Sequence, residues 1–204
     1  KISKSLGNTI DPLEIVKKFG LDQIRYFLLR EITLGQDGDF SEKALISRIN
    51  ADLSNNLGNL IQRTLKLNGK YFENKFPFDL YENQEFKVLK YGYKLLGEVE
   101  SNMRLFQINK ALENIWNFIS KLNQYIDKTE PWNLFKENKD ETAIVLSEII
   151  ESIRLLGIIL QPFIPDSSSK ILDTLNIDKK HRGFDSFNKH NIIKKGTKLN
   201  EVKQ

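Results

Sequence analysis

Apolar residues recur at intervals of three and four along most of the 204-residue chain, the period of helices that bury one face. The stretch "IDPLEIVKKFG" predicts a first short helix, with Asp11 as N-cap, Pro12 at the first helical position, Glu14 as the acidic partner of a capping box and Gly20 as the stop. "LDQIRYFLLREI" predicts a second helix whose core stripe is Leu21, Ile24, Phe27, Leu28 and Ile32. The glycines of "TLGQDGDF" then predict a loop. A long helix is expected from its N-cap Ser41, with Phe40 packing on Leu45 as a hydrophobic staple. Its core stripe is Leu45, Ile49, Leu53, Leu57, Leu60 or Ile61, and Leu65. Gly58 lies mid-helix at a cost of about 1 kcal/mol relative to alanine, which implies the close approach of another helix or of a ligand.

After the Pro77 loop, "ENQEFKVLKYGYKLLGEVESNMRL", "INKALENIWNFISKLNQYIDK" and "DETAIVLSEIIESIRLLGIILQPF" predict three more long helices, and "SSSKILDTLN" a short one after Pro165. Long helices with short polar or Pro-bearing connections describe a mainly α fold, an antiparallel helix bundle. Trp116, inside an apolar helix, reads as core. Near the end, "FDSFN" and "NIIKKGTKL" are the candidate strand pair. The longest apolar run, 153–165, is interrupted by Arg154, Gln161 and Pro162. It falls short of the roughly 20 apolar residues of a membrane span and reads as a core helix.

Composition agrees with a folded chain, at 40% apolar and 28% charged residues. The absence of cysteine excludes a disulfide framework and a thiolate zinc site. No leader pattern opens the chain, so the expected location is the cytoplasm, with no membrane partner. The net charge of +4 is uneven: residues 179–204 hold eight Lys or Arg against Asp185 and Glu201. That basic tail is either a solvated end or a patch for nucleic acid.

Several catalytic and metal-binding arrangements are missing. His181 and His190 lie in the basic tail without a nucleophile beside them and read as exposed polar residues. Asp37 and Asp39 read as turn residues. No Walker or dinucleotide glycine loop is present. Positive chemistry gathers at three places. Lys1, Ser3, Lys4 and Ser5 offer ammonium and hydroxyl groups to phosphate oxygens, or are simply a polar chain end. Asn55, Asn59 and Arg63 follow one another at four-residue steps on one helix face, where amides and a guanidinium suit the edges of an unstacked base. The same three residues also fit a plain polar stripe opposite the leucines. Trp132, directly after Pro131, is either an exposed plane for base stacking or a loop anchor buried on the bundle.

In this order and at these distances, the three places resemble the C-terminal half of the methionyl-tRNA synthetases. "KISKS" resembles the KMSKS signature of class I aminoacyl-tRNA synthetases, with Ile2 for the usual Met, and "DGDFS", "NADLSNNLGNLIQR" and "EPWNLFK" continue the methionyl pattern. The resemblance implies a KMSKS loop and stem-contact region over 1–40, a helical anticodon-binding domain over 41–175, and a basic tail, 176–204, packing back toward the stem-contact region. It implies that Lys4, with Lys1, neutralises ATP phosphates during adenylate formation. It also implies that Asn59, Arg63 and Trp132, with Asn55 a turn earlier, bind the CAU anticodon of methionine tRNA. ATP and methionine are then ligands of a preceding Rossmann-type catalytic domain, with magnesium accompanying the ATP and no metal in this part. The segment alone is not expected to be active. Two other readings stay open: a helical protein-interaction scaffold, and the anticodon domain of a class I synthetase for isoleucine, valine, leucine or cysteine.

Overall fold

The computed structural model describes residues 11–33, 35, 40–81 and 85–200. Among them lie helices α1 (Pro12–Phe19), α2 (Leu21–Glu31), α3 (Glu42–Arg48), a π-helical stretch (Ile49–Gly58) running straight into α4 (Asn59–Phe72), and α5 (Leu89–Arg104). There follow α6 (Ile108–Thr129), α7 (Pro131–Glu137), α8 (Lys139–Ile159) and α9 (Pro165–Thr174). The fold is the expected helix bundle. No described helix is long and apolar enough to cross a membrane.

Capping chemistry sets several ends where the sequence placed them. The Asp11 carboxylate accepts from Leu13 N–H at 2.8 Å, and Gly20 ends α1 at φ 92°. The Ser41 hydroxyl accepts from Ala44 N–H at 3.1 Å, while Phe40 joins Ile15, Phe27 and Leu45 in a small satellite core. The α2 stripe differs from expectation. Leu21 and Leu28 are exposed, and Asp22 and Tyr26 are buried instead. The cause is that α2 is packed on several sides. Asp22 accepts from Ser167 N–H at 2.6 Å at the start of α9, Arg25 donates to Pro162 C=O at 2.7 Å, and the Tyr26 ring lies 4.4 Å from Trp116. Burial, helped by the Asp52 carboxylate that accepts its proton at 2.5 Å, raises the Tyr26 hydroxyl pKa.

Helix α8 is buried almost all round from Thr142 to Ile159 and forms the bundle's centre. Two acids on it are buried and satisfied. Glu148 accepts from the N–H groups of Val88 and Leu89 at 3.0 and 3.2 Å, capping α5. Glu151 receives Arg154 at 2.6 and 2.9 Å, and that guanidinium also donates to the carbonyls of Ser186 and Asn188. Burial pushes the Glu151 carboxyl up against the pull of Arg154 and of Ile193 N–H.

The tail departs from the expected strand pair. Residues 179–191 form three single turns of 3-10 helix. Beyond them, Gly196 and Thr197 exchange hydrogen bonds with Phe76, and Leu199 N–H donates to Asn74 C=O at 2.7 Å. Through these bonds and those to Arg154 and Glu151, the described part of the tail is fastened to α8 and to the segment after α4.

Candidate nucleic-acid interface

Three elements converge at one end of the bundle. The π-helical stretch and α4 are one continuous rod, so Asn55 and Asn59 are exposed and Arg63 half-buried along its outer side. Gly58 is explained by the rod itself: a Cβ there would sit 3.0 Å from the carbonyl oxygen of Leu53, five residues back. No atom of a second helix lies within 4 Å of that position, so close helix packing does not explain the glycine. The rod is tied to α6 by amides. Asn123 donates to the Asn56 side chain at 2.7 Å, and Asn56 donates to Ser120 at 3.3 Å.

Trp132 is brought to α4 by a break between α6 and α7. Glu130 adopts a left-handed conformation at φ 41°, closing α6 through its N–H to Ile126 C=O, and Pro131 then opens α7. The indole is half-buried and packs on the core, leaving part of its surface to solvent. It is therefore an anchor and a platform at once. The Arg63 guanidinium lies 5.0 Å from the indole centroid, and its Nη2 is 2.7 Å from Oδ1 of Asp127 on the last turns of α6. Asp127 is 63% exposed and Arg63 29%, so water reaches this pair from outside. A half-exposed indole, a forked donor, and two exposed amides on the same rod can stack on a base and hydrogen-bond its edge.

The structure thus brings Asn59, Arg63 and Trp132 into one surface, with Asn55 a turn away. Lys1 and Lys4, like Asp37 and Asp39, lie outside the described residues. His181 and His190 are exposed in the 3-10 turns of the tail. Asp127 and the hydrogen-bonded Asn56, Ser120 and Asn123 side chains carry no signal in the sequence. Asp127 stands five residues before Trp132, but the helix break between them hides its proximity to Arg63.

The class comes from a family model described as tRNA synthetases class I (M), which matches residues 1–65. A second, the anticodon binding domain of methionyl tRNA ligase, matches residues 80–203, so Asn55, Asn59 and Arg63 fall in the first match and Trp132 in the second. The chain belongs to the methionyl-tRNA ligase family. The methionine–tRNA ligase of Rickettsia felis is 42% identical over 98% of the chain and 40% of that protein, and that of Fusobacterium nucleatum 41% identical over 99% of the chain and 32% of that protein. The chain thus spans two fifths or less of these relatives. Among solved structures, methionyl-tRNA synthetase of Mycobacterium tuberculosis in complex with methionyl-adenylate superposes with a TM-score of 0.90 at 34% identity, covering 98% of this chain and 40% of that one.

Proposed function

We propose that this chain is the anticodon-binding part of a methionine–tRNA ligase and that it reads the CAU anticodon to position methionine tRNA for ATP-dependent methionylation. The observation that carries the reading is the contact of Arg63 with Trp132, made across two helices and half open to solvent. In use, the indole stacks on a splayed loop base, and Arg63 turns its donors to the carbonyl and ring nitrogen of the first anticodon base, a cytosine. Asn59 and Asn55 supply the amide oxygens that accept from an exocyclic amino group. Anticodon bases are readable in this way because they are unpaired. Residues 1–40 form the loop and stem-contact region, and 41–175 the anticodon-binding bundle. In the whole protein Lys1 and Lys4 bear on the ATP phosphates, accompanied by magnesium.

The test is a titration of the full-length protein with RNA stem-loops that differ only in the anticodon. Binding is expected to be tightest for CAU and to drop at least tenfold when its first base is changed. Equal affinity for all the loops overturns the reading.

A further inference from the structure

We propose that the RNA path begun at Trp132 continues along α4 and α7 to a second stacking site, the Tyr71–Phe135 ring pair, where Lys70 and Lys139 hold phosphates of the same strand. This rests on the anticodon-binding reading above and extends it.

The rings of Tyr71 and Phe135 stack at 4.2 Å and 18°, and Phe135 is fixed from below by the edge of Phe72 at 5.8 Å. Phe72 packs on the main core, whereas Tyr71 and Phe135 are half-buried and stand outside it. Lys70 Nζ lies 5.3 Å from the Tyr71 centroid and Lys139 Nζ 5.4 Å from that of Phe135. Two ammonium groups therefore flank an aromatic stack. Neither has a recorded carboxylate partner among the described residues. Two nearby acids are engaged elsewhere, Glu73 with Lys75 at 3.0 Å and Glu141 with Lys87 at 3.2 Å. Glu137 at the end of α7 and Asp140 in the first turn of α8 are both exposed.

The placement follows from helix geometry. Arg63 and Lys70 are seven residues apart on α4, on one face and about 10 Å apart along the axis. Trp132 and Phe135 are one turn apart on α7. The second stack therefore continues the line of the first, at a distance that neighbouring nucleotides of one loop can span. Alternating cations and ring faces is how single-stranded nucleic acid is held without base readout: rings accept bases of any identity, and lysines follow the backbone. Joining α7 to α4 would need only the apolar contact. It would not need half-exposed rings with a lysine over each.

The experiment uses the full-length protein and a CAU stem-loop, with affinity measured against KCl concentration. The double variant K70A/K139A is expected to flatten the log–log salt slope by about 1 to 1.5, roughly 0.7 for each single-strand phosphate released. The ratio between CAU and other anticodons stays unchanged, and K70R/K139R keeps the slope. Tyr71→Leu, which keeps the apolar packing, is expected to weaken binding about fivefold to a hundredfold with unchanged helix content. An unaltered slope in K70A/K139A, while W132A still weakens CAU binding, overturns the second site and leaves the anticodon reading standing. A W132A variant that binds CAU as well as the parent overturns the reading and this extension together.

Discussion

Two arginine–carboxylate pairs on this bundle have opposite designs. Arg154 and Glu151 are three residues apart on α8, 1% and 0% exposed, and each guanidinium nitrogen donates to the carboxylate or to a carbonyl of Ser186 or Asn188. Arg63 reaches from α4 to a single oxygen of the exposed Asp127 and rests on one ring, with solvent at its side. The first pair is closed and holds the tail to the core. The second is open, and its remaining donors are free to meet another molecule. A buried ion pair is costly to break and has nothing left to offer, whereas a half-exposed one contributes little stability and can be exchanged.

The contrast breaks hardest at the closed pair. Glu151→Ala leaves Arg154 buried without its counter-charge and is expected to lower stability by about 3 to 5 kcal/mol. A shifted denaturant midpoint with unchanged slope would show it. The ratio of affinities for different anticodons should not change in the protein that remains folded. Next in size is the platform. Trp132→Ala should weaken CAU stem-loop binding by about 1 to 3 kcal/mol, with the far-ultraviolet circular dichroism unaltered. A parallel loss of helix content would make the indole a structural anchor only. The smallest effect is expected from Asp127→Asn, which should change stability by no more than about 1 kcal/mol because its pair is screened by water. Thermal unfolding of this variant beside Glu151→Ala measures the contrast directly.

Helix ends were the most legible part of the sequence, because capping is local: Asp11, Ser41 and Gly20 act through neighbours two to four residues away. The burial of Trp116 was also legible, since apolar residues surround it at helical spacing. The stripe of α2 was not. A helix gripped by α9, α6 and the rod buries polar Asp22 through a partner 145 residues away, and no periodicity announces that. The turn at Glu130 was invisible for a different reason: a left-handed glutamate carries no turn signature, and it is this turn that directs Trp132 toward α4. In the tail, "FDSFN" and "NIIKKGTKL" have strand-like composition, yet their partners are the loop after α4 and the charged pair on α8. For the site, shared face and residue chemistry placed Asn55, Asn59 and Arg63 on one rod; the convergence of that rod with α7 is tertiary and had to be seen.

We propose that Arg63 and Trp132 form one pocket for the anticodon, with Arg63 reading its first base. A double-mutant cycle tests it most directly: affinities of the full-length parent and of Arg63→Ala, each for a CAU stem-loop and for one with the first base changed to uracil. If Arg63 reads that base, the base change costs the parent at least tenfold and the variant almost nothing. If the two changes are simply additive, Arg63 does not contact that base and the pocket does not work as described.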